Sequence, residues 1–232
     1  MIESYAHWII RWRYLVVLTI IGSVVATGAG MPRLSMSNDY RMFFGEDNPQ
    51  LLEFERMQNT FNKNDNIMFV VTPKDGRVFT PEALTAIQAI TKAGWQIPYS
   101  TRVDSITNYQ HTRAEEDDLM VDDLVVNPEA LDETQLAQLQ QIAVNEPMLV
   151  HRLISPDSKY TGINVTVQLP GKSLGEVPEA VSYARKIKSD MLAQFPNIEI
   201  RLVGLAVMNN AFPEGSQADA QTLYPMALAF II

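Results

Sequence analysis

Residues 160–169 read Tyr-Thr-Gly-Ile-Asn-Val-Thr-Val-Gln-Leu (YTGINVTVQL), with Ile163, Val165 and Val167 alternating against Asn164, Thr166 and Gln168. A period of two, with β-branched residues on one side, is the pattern of a half-buried strand. Downstream, Pro178 to Phe195 sets Val181, Ala184, Ile187, Lys188, Met191 and Phe195 at helical spacing, Lys188 being the lapse in an otherwise apolar face. Ile198 to Val203 (IEIRLV) returns to alternation, and Gly204 ends it. This part of the chain therefore reads strand–helix–strand.

The same order occurs upstream. Asn66 to Thr72 (NIMFVVT) reads as a buried strand and is followed by the turn residues Pro73, Asp75 and Gly76. Thr80-Pro81-Glu82 has the chemistry of a helix start: a hydroxyl cap, a proline at the first position and an acid in the first turn. Leu84, Ile87, Thr91 and Trp95 share a face of that helix, and Thr101 to Thr107 alternates as a second strand. Between the two units lies a long polar connection carrying Glu115, Glu116, Asp117, Asp118, Asp122 and Asp123. After it, Asp132 is placed to cap a helix containing Leu136, Leu139, Gln140 and Ala143 and ending near Pro147. Two tandem strand–helix–strand units predict an α+β, ferredoxin-like (βαβ–βαβ) domain, an antiparallel sheet with helices on one face.

Farther out, Tyr14 to Met31 is an unbroken run of eighteen uncharged, mostly apolar residues. As a helix it would reach about 27 Å, close to the ~30 Å of a bilayer's hydrocarbon. Arg11 and Arg13 flank it, with Trp8, Trp12 and Tyr14 where an interfacial belt would sit, and Pro32 and Arg33 follow. The competing reading is a secretory signal peptide with Thr27 and Ala29 as its cleavage pair. The length of the run and a second apolar segment near the end favour a spanning helix. That second segment, Leu223 to Ile232 (LYPMALAFII), would span only about 15 Å. It reads either as a core element or as the beginning of another spanning helix, and the lack of any closing polar or turn residue favours the latter. The expected organisation is a cytoplasmic segment 1–13, a transmembrane helix 14–31, a periplasmic domain 32–218 and the start of a second transmembrane helix 219–232.

Composition narrows function mostly by exclusion. A formal net charge of −9 leaves little to neutralise phosphates, which argues against nucleic acid. The absence of cysteine excludes disulfides, thiolate catalysis and zinc–cysteine sites. His7, His111 and His151 stand in unrelated segments, and no G-x-S-x-G, P-loop or H-E-x-x-H pattern is present. The acidic run from Glu115 to Asp123 has the oxygen ligands a divalent cation needs, but it lacks the glycine-spaced loop of a calcium motif and reads as a solvated loop. An enzyme is thus not expected, nor a cofactor or metal. Phe43, Phe44, Phe54, Met57 and Phe61 form an aromatic and methionine-rich stretch. They read either as the lining of a path for an apolar substrate or as packing between layers.

Several short motifs in fixed order carry a family likeness. Asp39-Tyr40-Arg41 and Phe43-Phe44-Gly45-Glu46-Asp47-Asn48-Pro49 follow the arginine-flanked helix, and Phe54 to Phe61 leads into Asp65-Asn66 and a hydrophobic strand. Asp75-Gly76 precedes Phe79-Thr80-Pro81-Glu82, Arg152-Leu153-Ile154-Ser155-Pro156-Asp157 precedes the strongest strand, and Asp219 precedes Leu223-Tyr224-Pro225. In these features the chain resembles the resistance-nodulation-division (RND) superfamily of transporters, in its MMPL-like exporter branch. The resemblance implies the N-terminal part of a proton-driven inner-membrane exporter of hydrophobic or lipid-like substrates, with the main domain periplasmic. Its implied partners are the lipid bilayer, the transporter's other membrane helices, an apolar substrate and a second copy in a homo-oligomer. Neither apolar segment holds an intramembrane carboxylate, so a proton relay would lie outside these residues. The alternative is a free-standing, membrane-anchored binding module.

Overall fold

The computed structural model describes residues 2–29, 47–61, 65–115, 118–173 and 175–231. The chain divides into two compact units, Met1–Ser37 and Asn38–Ile232.

In the first unit, α1 (Ile2–Arg11) and α2 (Arg13–Gly28) meet at Trp12. The Trp12 N–H donates to the Trp8 carbonyl and the Val16 N–H to the Trp12 carbonyl, each at 3.0 Å, so the two helices are held end to end. On α1, His7 and Arg11 fall on one side, while Tyr5 and Trp8 stack with ring centroids 6.5 Å apart on another. The helix α2 carries no charge after Arg13, with Thr19 and Ser23 in one row and Leu18, Ile21 and Val25 all exposed.

The second unit begins with α3 (Pro49–Phe61), whose start is capped by the Asn48 carboxamide oxygen accepting the Gln50 N–H at 3.0 Å. Its main sheet has four strands: β1 (Asp65–Pro73), β2 (Ser100–Asp104), β5 (Thr161–Val167) and β6 (Ile198–Val203). The order across the sheet is β2-β5-β1-β6, and every neighbouring pair is antiparallel. Two strand–helix–strand units are thereby interleaved, each contributing one of the two central strands. Helix α4 (Pro81–Gly94) joins β1 to β2, and α6 (Glu176–Gln194) joins β5 to β6.

Alternation decides which face is buried. Ile67, Phe69 and Val71 of β1 pair across the sheet with Val165, Ile163 and Thr161 of β5, and all six are buried. With Ile198 and Ile200 of β6 they pack under Leu84, Ile87 and Ile90 of α4 and Val181, Ala184 and Ile187 of α6. Each large aliphatic or aromatic side chain removed from water in this way stabilises the fold by about 1.5–3 kcal/mol. Helix α4 starts as its sequence dictates: the Thr80 hydroxyl oxygen accepts the Ala83 N–H at 3.2 Å, and Pro81 occupies the first turn.

Beyond the sheet, α5 (Glu133–Asn145) opens with a reciprocal cap in which the Gln135 N–H donates to Asp132 and the Asp132 N–H donates to the Gln135 side chain. The acidic connection is not a plain loop. It forms a second sheet, the antiparallel ribbon β3 (Gln110–Glu115) and β4 (Asp118–Asp123), in which Asp122 pairs with Arg113 at 3.4 Å and Asp123 accepts from Gln110. Nor does β2 run to Thr107. Ser105 and Thr107 turn inward, where their hydroxyls lie 2.8 Å apart and Ser105 lies 2.9 Å from the Thr91 hydroxyl, a buried network that ends the strand.

The expected fold class, a ferredoxin-like (βαβ–βαβ) porter-type domain behind an N-terminal transmembrane helix with a second one starting at the C-terminus, is therefore corrected. The fold is a mixed arrangement with two antiparallel sheets, and among the described residues no helix is long and apolar enough to cross a membrane. Helix α2 has sixteen residues, about 24 Å, and α1, which precedes it, has a polar side. The last helix, α7 (Leu205–Ile231), has the length at twenty-seven residues, but Glu214, Asp219 and two internal prolines, Pro213 and Pro225, break its apolar character. Residues 219–231 are the far half of this helix, which begins inside the folded body.

One glycine is indispensable. Gly204, between β6 and α7, has φ +115°, and a Cβ there would stand 2.5 Å from the Asn66 carbonyl oxygen. Gly171, at φ +70°, has open space around it. Gly204→Ala is expected to cost about 1–3 kcal/mol for the strained backbone and more for the displaced neighbour, whereas Gly171→Ala incurs the backbone part alone. Denaturant unfolding of the two variants side by side checks the difference.

Candidate functional site

The residues singled out from sequence are placed unevenly. Phe43 and Phe44 lie outside the described residues. Phe54 and Met57 are one helical step apart on α3 and stand 40% and 51% exposed, so they are not packed into the core. Phe61 closes the same helix. Leu51, earlier on α3, is buried.

A cleft of about 190 Å³ lies where β1 ends and α4 begins, lined by Lys74, Asp75, Thr80, Glu82 and Asn197. It is smaller than the ~300 Å³ at which ligand pockets begin. Two of its polar groups are already paired, Asn197 donating to Glu82 at 3.0 Å. Among the described residues, no group of three or more histidines or carboxylates is gathered as metal ligands.

The arrangement with consequences is the joint from which α7 leaves the body. Asn66, at the start of β1, donates from Nδ2 to the Asn164 side-chain oxygen at 2.8 Å and accepts the Leu205 N–H at its own Oδ1 at 3.1 Å. One carboxamide thus ties together β1, β5 and the first turn of α7. Gly204 lets the chain turn there, and its carbonyl accepts the Met208 N–H at 3.0 Å to start the helix. Ala206 and Asn210 then pack inward, buried against the body.

One turn on, Arg185 of α6 grips Glu214 of α7 in a two-pronged ion pair, Nη1 to Oε1 at 2.6 Å and Nη2 to Oε2 at 2.8 Å. The pair follows Pro213, which lacks the N–H that would bond to the preceding turn, so the brace sits at one of the two proline interruptions of the helix. The Arg185 bonds, helped by the Asn210 side chain and against the effect of burial, hold the Glu214 carboxyl below its ordinary value of 4.5. A second carboxylate locks the approach to α6: Glu176 accepts the Gly171, Lys172 and Ser173 N–H groups at 2.7–3.0 Å.

Past the brace, α7 presents Leu223, Met226 and Phe230, three and four residues apart and all exposed. Leu205, Met208 and Phe212 form a similar exposed series at its root. Sequence reasoning noted Gly204 as a terminator but missed Asn66, Arg185 and Glu214. The first pairs across 139 positions and the other two across 29, and only the two-pronged charge complementarity of an Arg and a Glu hints at such a link.

Because the Glu214 pKa is depressed in the folded chain, its stabilisation is complete above about 4.5 and fades as pH falls through the lowered value. Glu214→Gln is expected to lower stability at pH 7 by at most about 1 kcal/mol, since both partners are half exposed and screened by solvent. The difference between wild type and variant vanishes at strongly acidic pH. Urea unfolding of both chains at neutral and acidic pH checks this.

No protein-family model matches the chain, and no curated protein matches it, so the geometry of the joint and of the exposed apolar helices carries the functional reading.

Proposed function

We propose that the chain is a substrate-handling module of an RND/MMPL-type transporter of the bacterial inner membrane, acting on hydrophobic or lipid-like cargo, with its sheet-containing body on the periplasmic side. The observation that supports this reading most is the braced joint: a packed α/β body holds, through Asn66, Ala206, Asn210 and the Arg185–Glu214 pair, a long helix whose last turns expose Leu223, Met226 and Phe230. A movement applied to α7 is passed to the body as a whole, as porter-type transport by rigid subdomain motion requires. The Leu18–Ile21–Val25 side of α2 and the Leu223–Met226–Phe230 side of α7 are the surfaces that meet lipid or the apolar helices of the rest of the transporter. Phe54 and Met57, exposed and pliable, suit brief contact with varied apolar cargo. The energy source, a proton gradient in this reading, acts through carboxylates elsewhere in the assembly.

Flotation with phosphatidylethanolamine–phosphatidylglycerol vesicles tests the lipid contact. The full chain is expected to float, and a variant with Leu18, Ile21 and Val25 changed to Lys is expected to lose most of that recovery. A chain that stays in the dense fraction with all vesicles removes the membrane-transporter reading.

A further inference from the structure

The two outer strands of the main sheet differ in a way that bears on assembly. At one side β2 is short, five residues, and its pairing with β5 slips between Ser100 and Arg102. Short, irregular edges discourage further strand pairing. At the other side β6 is six residues long, pairs with β1 without a slip, and contains neither proline nor lysine. Among the described residues, no strand pairs with its outer edge.

The direction of the β6 backbone groups follows from one bond. The Lys74 N–H donates to the Asn197 carbonyl at 2.9 Å, which makes 74 and 197 a hydrogen-bonded pair of the antiparallel ladder. Counting along the ladder by twos, Glu199, Arg201 and Val203 face their backbone groups to Thr72, Val70 and Met68 of β1. Ile200 and Leu202 therefore turn their N–H and C=O groups outward, and Ile198 its C=O, while the Ile198 N–H donates to the Phe195 carbonyl at 3.4 Å. The side chains alternate independently: Ile198 and Ile200 are buried under the helices, while Glu199 and Arg201 stand exposed on the opposite face.

We propose that β6 is the dimerisation edge of this chain, pairing antiparallel with β6 of a second copy about a two-fold axis through Ile200. Of the registers that set outward groups against outward groups, this one alone pairs opposite charges across the seam: Ile200 bonds to its own symmetry mate, and the Leu202 N–H donates to the Ile198 carbonyl of the other copy. It places Glu199 directly opposite the second copy's Arg201, and Arg201 opposite its Glu199, at the closely spaced positions of the ladder, where side chains approach most. Within one chain the two are only loosely paired, Arg201 Nη2 to Glu199 Oε2 at 3.7 Å, and both are largely exposed, so each is free to take the cross-strand partner. A segment whose charges read as their own complement about its midpoint fits the same patch on a second copy, as a two-fold contact requires. Pairing would join the two four-stranded sheets into one of eight strands with the helices of both copies on the same face. This inference does not depend on the transport reading.

The test is sedimentation of the full chain in mild detergent micelles over a wide concentration range, with charge variants at two exposed positions. Wild type is expected to dimerise reversibly. Glu199→Arg alone and Arg201→Glu alone each set like charges opposite one another twice per dimer, and each is expected to weaken association about tenfold or more. The double exchange, Glu199→Arg with Arg201→Glu, restores the complement and is expected to return association to near the wild-type value, with circular dichroism unchanged throughout. A chain that stays monomeric at every concentration, single variants that associate like wild type, or a double exchange that fails to recover would each overturn the proposal. Association through the exposed apolar helices alone gives the second of these outcomes, and is thereby told apart.

Discussion

Strand β1 is bonded along both edges, to β5 and to β6, and the rest of the second unit is organised by that constraint. A strand with two antiparallel partners has a fixed register on each side, because a slip of one residue would turn Ile67, Phe69 and Val71 out into water. With that register set, α4 and α6 have a single apolar surface to cover, and both crossovers lie on it. The first residues of β1 then serve a second purpose. Asn66 sits where the strand begins, one carboxamide group away from both Asn164 and Leu205, so the sheet that builds the core also determines where α7 departs.

Rigidity at that departure point comes from several modest interactions. The Asn66 bonds and the Arg185–Glu214 pair are each partly exposed, and none would hold a helix alone. Together with buried Ala206 and Asn210 they act on three successive turns, and Gly204 removes the side chain that would keep α7 from approaching Asn66. Pro213 makes the middle of this stretch locally weak, and the ion pair falls on the residue immediately after it. The helix is thus supported at the first of the two prolines where its own hydrogen bonding is interrupted.

Much of the body could be read from sequence, because its strands announce themselves by alternation and its helices by caps. Residues 161–167 of YTGINVTVQL, and all of NIMFVVT and IEIRLV, fall on strands, and Thr80 and Asp132 cap the helices they precede. Local reading failed where the deciding partner was distant. Thr101 to Thr107 alternates, but the buried Thr91 hydroxyl draws Ser105 and Thr107 into a turn. The acid-rich segment looked like a solvated loop because its pairing rests on cross-strand partners such as Arg113 with Asp122, not on apolar alternation. The apolar run from Tyr14 was read as a spanning helix from length and composition, whereas helix α2 ends at Gly28 and is joined at Trp12 to a helix with a polar side. The aromatic stretch pointed to a site by residue type alone, and the joint at Asn66, Arg185 and Glu214 was hidden because it unites segments far apart in sequence.

The central claim is that α7 and the body move as one piece. The chain has no cysteine, so spin labels can be placed without background, one at Lys92→Cys on α4 and one at Gln221→Cys on α7. Double electron–electron resonance on the full chain in detergent micelles is expected to give one narrow distance distribution, which broadens when Glu214→Ala and Asn66→Ala are introduced together. A broad distribution in the otherwise unaltered chain, or one that those two changes leave as it was, would contradict the account.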